Sequence, residues 1–131
     1  MIYSNLSDKE ELLGKEIVDA AYKVHKELGP GLLEKIYEAC FCYELEKKGI
    51  ANKRQVELPI NYKSEVFFEE GLRMDVLVDE LIICELKSVE EMNPLWYAQI
   101  ISHLKLTKLR LGYLINFNVP FIKNGIKRFI V

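Results

Sequence analysis

The chain has 131 residues, half of them apolar and 29% charged, with a formal net charge of −2. This is enough for one globular domain with its own core, spanning residues 1–131, and too little for two. No apolar stretch reaches the ~20 residues of a membrane span, and the polar, acidic start from Met1 to Glu11 is unlike a secretory leader, so the expectation is a soluble, cytoplasmic protein with no membrane partner.

Charge is unevenly placed: residues 1–90 carry a net −7 and residues 91–131 a net +5. The overall balance argues against coating nucleic acid by bulk charge. The basic groups Lys105, Lys108, Arg110, Lys123, Lys127 and Arg128 either meet phosphates or form a solvated surface. Cys40, Cys42 and Cys84 are odd in number and form no CxxC pair, so they read as core thiols and suggest neither a disulfide scaffold nor a structural zinc site.

From Ser7 or Asp8 to Leu28, the residues Leu13, Ile17, Ala20, Ala21, Val24 and Leu28 recur at three- and four-residue steps, the signature of an amphipathic helix. Gly29-Pro30-Gly31 stops it. A second helix follows, with Leu33, Ile36, Tyr37, Cys40, Phe41 and Leu45 as its apolar stripe and Lys47-Lys48-Gly49 as its exit. The period then changes to two. Val56, Leu58 and Ile60 alternate with polar residues and Pro59, and a second extended run over Tyr62 to Phe68 completes a hairpin at a sheet edge. Leu72 to Val78 and Leu81 to Leu86 are apolar on both faces and belong at the sheet centre. Asn93-Pro94 opens a third helix that buries Trp96, Ile100 and Leu104, and Leu111 to Phe117 is a strand reached by a parallel crossover. Ile126 to Val131 adds a short final strand, which makes the fold class α/β with a mixed sheet.

Three charges interrupt the central strands: Asp75 in the first, Glu85 and Lys87 in the second. Glu85 and Lys87 share a strand face. A two-residue turn at Asp79-Glu80 would send Asp75 to the opposite face, whereas a turn extended through Leu81 sets Asp75 opposite Glu85 and Arg73 opposite Lys87. The functional reading therefore expects the longer turn. Two converging carboxylates repel unless they share a cation or a proton, and oxygen ligands of this kind suit Mg²⁺ or Mn²⁺. With a lysine beside them, these are the parts for metal-assisted attack of water on a phosphodiester. The alternative is a salt-bridge set at a sheet end.

The Asp75…Glu85-Leu86-Lys87 spacing on adjacent strands, followed by a helix bearing Gln99, resembles the PD-(D/E)XK nuclease superfamily. More narrowly, Gly31-Leu32-Leu33-Glu34-Lys35-Ile36-Tyr37 is similar to the GxxExxY signature of one of its bacterial and archaeal families, and the likeness continues through Arg73-Met74-Asp75, Ala98-Gln99 and Leu114 to Pro120. The resemblance implies a restriction-endonuclease-like core: a mixed central sheet flanked by helices, in the order helix, three antiparallel strands, helix, parallel strand. It implies Asp75 and Glu85 as carboxylate ligands of Mg²⁺ or Mn²⁺, the Leu86 carbonyl as a third ligand, and Lys87 as the group that positions water. Glu34 matches an acidic helix residue aimed at the metal. Gln99 and His103, four apart on one helix face, match a pair that lines the site and contacts DNA, although His103 stands where tyrosine is usual. Arg73 reads as a phosphate clamp or a partner for Glu85, Tyr37 as a core residue, and Trp96 as packing between helix and sheet.

Two functions of different class follow. One is a metal-dependent nuclease acting on nucleic acid, DNA in the first place. The other is a nuclease-fold accessory module that binds nucleic acid or a protein partner without turnover. So short a chain also raises a homodimer, since many nucleases of this superfamily cut both strands as dimers.

Overall fold

The computed structural model describes residues 6–131, with Glu70 described by its backbone alone; the first five residues of the polar N-terminal stretch lie outside it. Helix α1 spans Asp8–Leu28 and opens on a capping box: the Ser7 hydroxyl accepts from the Glu10 amide, and the Glu10 carboxylate accepts from the Ser7 amide. Helix α2 spans Glu34–Lys47. Strands β1 (Asn52–Tyr62), β2 (Val66–Val78) and β3 (Ile82–Lys87) lead to helix α3 (Pro94–Thr107). Strand β4 (Leu111–Asn116), a 3-10 turn and β5 (Ile126–Ile130) complete the chain.

The sheet has five strands in the order β1-β2-β3-β4-β5, all neighbours antiparallel except β3 and β4, which α3 connects. Helices α1 and α2 cover one face through Ile17, Ala20, Ala21, Tyr37, Phe41 and Leu45 packed on Val76, Cys84, Leu86 and Ile115. Leu104 of α3 packs with Leu77, Ile83 and Met74 in a smaller cluster. The mixed sheet flanked by helices is the expected α/β architecture. Asn93 caps α3 by accepting from the Leu95 amide at 2.9 Å, with Pro94 at the first helical position. Cys42 and Cys84 are core thiols, and Cys40 is half-buried.

Three expectations need correction. Tyr62 to Phe68 is no separate run, because Tyr62 ends β1 and Val66–Val78 is one strand of 13 residues. Inside this strand Ile60 lies against Gly71, with no room for a side chain there. In α2 the stripe is shifted: Leu33 and Ile36 are exposed, and Tyr37, Glu38, Phe41, Cys42 and Leu45 are buried. Trp96 is half-buried, while Ile100 and Leu104 are fully inside.

Candidate active site

Strands β2 and β3 pair Val78 with Ile82, Leu77 with Ile83 and Val76 with Cys84, so the connecting turn is the longer one, Asp79-Glu80-Leu81. Asp79 and Glu80 take left-handed backbone angles, and the Leu81 amide donates to the Val78 carbonyl. The next pair in this register is Asp75 with Glu85, and here the ladder ends. The side chains replace it. The Asp75 amide donates to Glu85 Oε2 at 3.0 Å, and the Leu86 amide donates to Asp75 Oδ2 at 2.9 Å. Each carboxylate is thus fastened to the other strand's backbone by one oxygen. Its second oxygen, Asp75 Oδ1 or Glu85 Oε1, has no hydrogen bond among the described residues.

Burial and the neighbouring Asp75 charge push Glu85 up to about 8, against the smaller opposing effects of the Asp75 amide and the Lys87 charge. No cation lies within 4.0 Å of either carboxylate among the described residues. Lys87, on the same strand face as Glu85, instead holds its ammonium 4.4 Å from the centre of the Trp96 ring. Glu85, Lys87, Trp96, Gln99, Ile100, His103 and Leu114 line a niche of about 10 Å³, room for no more than one water, so it is the back wall of a site rather than a substrate pocket. His103 Nδ1 is buried there without a hydrogen-bond partner among the described residues. Burial lowers the His103 pKa, and the Asp75 charge opposes this.

Glu34, the first residue of α2, is exposed and lies within electrostatic range of the same centre. Partial burial raises its pKa, and the charges of Lys87, in the opposite sense, and of Asp75 are the next influences on it. Its placement has a local cause. The Tyr37 hydroxyl donates to the Gly29 carbonyl at 2.5 Å and accepts from the Leu32 amide at 3.1 Å, while its ring stacks on Phe117 with centroids 4.6 Å apart. Ser88, just after Lys87, donates to the Leu32 carbonyl at 2.6 Å and so ties this loop to the end of β3. Tyr37 is fully buried and structural, as expected; Ser88 carries no sequence signal that would have found it.

Asn116 is a second residue not singled out from the sequence. Its buried amide bonds both the N–H and the carbonyl of Val89 and accepts from the Asn118 N–H, holding the chain that leaves Lys87. A polar residue inside the otherwise apolar run Leu111 to Phe117 was the available clue.

The structure therefore joins Asp75 to Glu85, sets Glu85, Lys87, Gln99 and His103 around one niche, leaves Glu34 within range of the Asp75 and Lys87 charges, and leaves others out. Arg73 does not face Lys87: past Val76 strand β2 is no longer paired to β3, and Arg73 is exposed opposite Glu57 of β1. Lys105 and Lys108 are exposed toward the far end of α3, Lys108 beside Asn61, Lys63 and Ser64 of the β1–β2 hairpin. Of the other basic residues, Arg128 pairs with Glu11 at 3.0 Å, and Lys127 lies over the Tyr97 ring.

The donor set fits a hard divalent cation. Among the described residues no group of three or more His, Cys, Asp or Glu converges, so the chain offers two carboxylates, each with one open oxygen. That is the usual protein share for Mg²⁺, which keeps several waters and takes one or two carboxylates alongside a phosphate. No helix among the described residues is long and apolar enough to cross a membrane. A family model described as PD-(D/E)XK nuclease superfamily matches residues 11–129. No curated protein and no solved structure matches the chain.

Proposed function

Because the chain belongs to the PD-(D/E)XK nuclease superfamily, we propose that it is a metal-dependent phosphodiesterase that cuts nucleic acid, DNA in the first place. The observation that carries this reading is the braced pair Asp75 and Glu85, each with an oxygen left open and no cation in contact among the described residues. Asp75, Glu85 and the Leu86 carbonyl would hold Mg²⁺ or Mn²⁺, which when bound lowers the pKa of a coordinated water and stabilises charge on a phosphate. Lys87 orients the attacking water through its ammonium, and Glu34 adds a third acidic group to the rim. Gln99 and His103 present one face of α3 to the nucleic acid. Arg73, Lys105 and Lys108 contact phosphates farther along the strand.

The whole chain acts as one domain in this proposal, and it sits in the GxxExxY branch. Gly31 at φ +96° and the Tyr37 staple give that signature a structural reason, since together they fix the loop before Glu34. Three free cysteines suit a reducing cytoplasm, and a homodimer would set two such centres against the two strands of a duplex. The accessory-module reading draws on one feature, a Glu85 that is protonated near neutrality unless a cation displaces the proton.

Thermal unfolding with and without Mn²⁺ separates the two readings. The nuclease reading expects a rise in Tm on adding Mn²⁺ that vanishes in Asp75→Ala. No rise in the wild type favours the accessory module.

A further inference from the structure

Lys87 and Trp96 approach each other from two rigid positions. The Lys87 carbonyl accepts from the Phe117 amide at 2.9 Å, and Lys87 is opposite Asn116 in the parallel β3–β4 register. Trp96 lies in the first turn of α3, where the Asn93 carbonyl accepts from its amide at 2.9 Å and the Asn93 side chain caps the neighbouring Leu95 amide. With both backbones held, the lysine ammonium rests 4.4 Å from the indole centre, well inside cation–π range.

The ammonium has other places to go. Glu85 is two residues away on the same strand face, and both Glu85 and Glu34 feel the Lys87 charge. A four-carbon stem is long and flexible enough to carry it onto a carboxylate. Yet Lys87 forms no ion pair within 4.0 Å among the described residues. The indole is the contact that holds it elsewhere.

We infer that Trp96 is the positioning residue of Lys87: its ring face keeps the ammonium off the Asp75/Glu85 pair, so that both open carboxylate oxygens stay available to a divalent cation. This rests on the reading of that pair as a cation site. Without the ring, the ammonium falls onto Glu85 or Glu34 and competes with the metal for the same charge.

Trp96 is the chain's single tryptophan, so its emission reports this contact directly. Lys87→Met is expected to change the emission of the metal-free protein, because it takes a cation from the ring face; unchanged emission would overturn the inference without reference to metal or activity. Calorimetry then supplies the second test. Trp96→Leu should weaken Mn²⁺ binding about two- to fivefold, the size of one exposed cation–π contact, and Trp96→Phe should restore most of it. In the Lys87→Met background the same Trp96→Leu change should leave Mn²⁺ affinity unaltered, because the competing ammonium is gone. Equal losses in both backgrounds would mean that Trp96 acts only through packing and would overturn the inference. A wild type that does not bind Mn²⁺ at all would sink the cation site itself, a failure separate from the emission result.

Discussion

Two carboxylates shielded by the same fold, Glu38 and Glu85, are treated in opposite ways. Glu38, on α2, accepts from Arg54 Nε at 3.0 Å and from Gln55 Nε2 at 2.6 Å, and the Arg54 Nη2 contact at 3.0 Å completes an ion pair. Glu85, on β3, has a single backbone donor and no cation in contact among the described residues. A buried charge left without a partner is costly, and Glu38 shows that this chain can satisfy one when structure is the purpose. Glu85 is different in kind: its open oxygen, the matching open oxygen of Asp75 and the lysine held aside are what a cation-binding site requires before its ligand arrives.

Their cations give the sharpest contrast. Lys87→Ala is expected to reduce nuclease activity at least ~100-fold, the usual loss when a group that handles a proton or orients water is removed, with little change in Tm because Lys87 forms no ion pair among the described residues. Arg54→Ala should do the reverse: no change in Mn²⁺ affinity and a loss of about 1–2 kcal/mol of stability in denaturant unfolding, since Glu38 then keeps only Gln55 and Arg54 itself is partly exposed. A Lys87→Ala variant that cleaves at near the wild-type rate would erase the distinction.

A smaller effect appears in the pH dependence of stability. Glu85 titrates at about 8 when folded, against 4.5 as its ordinary value, so the native state binds its proton more tightly than the unfolded chain does. The resulting stabilisation is full below pH 4.5, declines as pH rises and is gone above about 8. In EDTA the wild type should lose stability across that window by an amount on the order of a few kcal/mol, and Glu85→Gln should flatten the slope. A wild type and Glu85→Gln with parallel pH profiles would show that Glu85 is not held protonated.

Much of the candidate site is legible in the sequence because it rests on spacing. The Asp75-to-Glu85 interval fixes which turn can bring both carboxylates together, and the structure has that turn. The α3 start was readable from Asn93-Pro94, whose side chain and ring each do one local job. What escaped depends on contacts between distant elements. Gln55 adopts φ 51° inside β1, which lets it and Arg54, neighbours in sequence, both reach Glu38; nothing in an Arg-Gln pair announces that. The two extended runs Tyr62 to Phe68 and Leu72 to Val78 are one strand after Val66, and the glycine between them, Gly71, is the gap that Ile60 fills across the hairpin. Setting Arg73 opposite Lys87 needs a register that instead stops three residues short, at Val76 with Cys84, because the carboxylates take over the hydrogen bonds the ladder would have made.

The most direct measurement is cleavage of labelled single-stranded, duplex, nicked and RNA substrates with Mg²⁺, Mn²⁺ or EDTA, running the wild type beside Asp75→Ala/Glu85→Ala. The account predicts cutting that needs the divalent cation and is lost in the double variant. Cutting that survives in EDTA, or in the double variant with metal present, would contradict it, and a wild type inert on every substrate would leave the fold as a binding module.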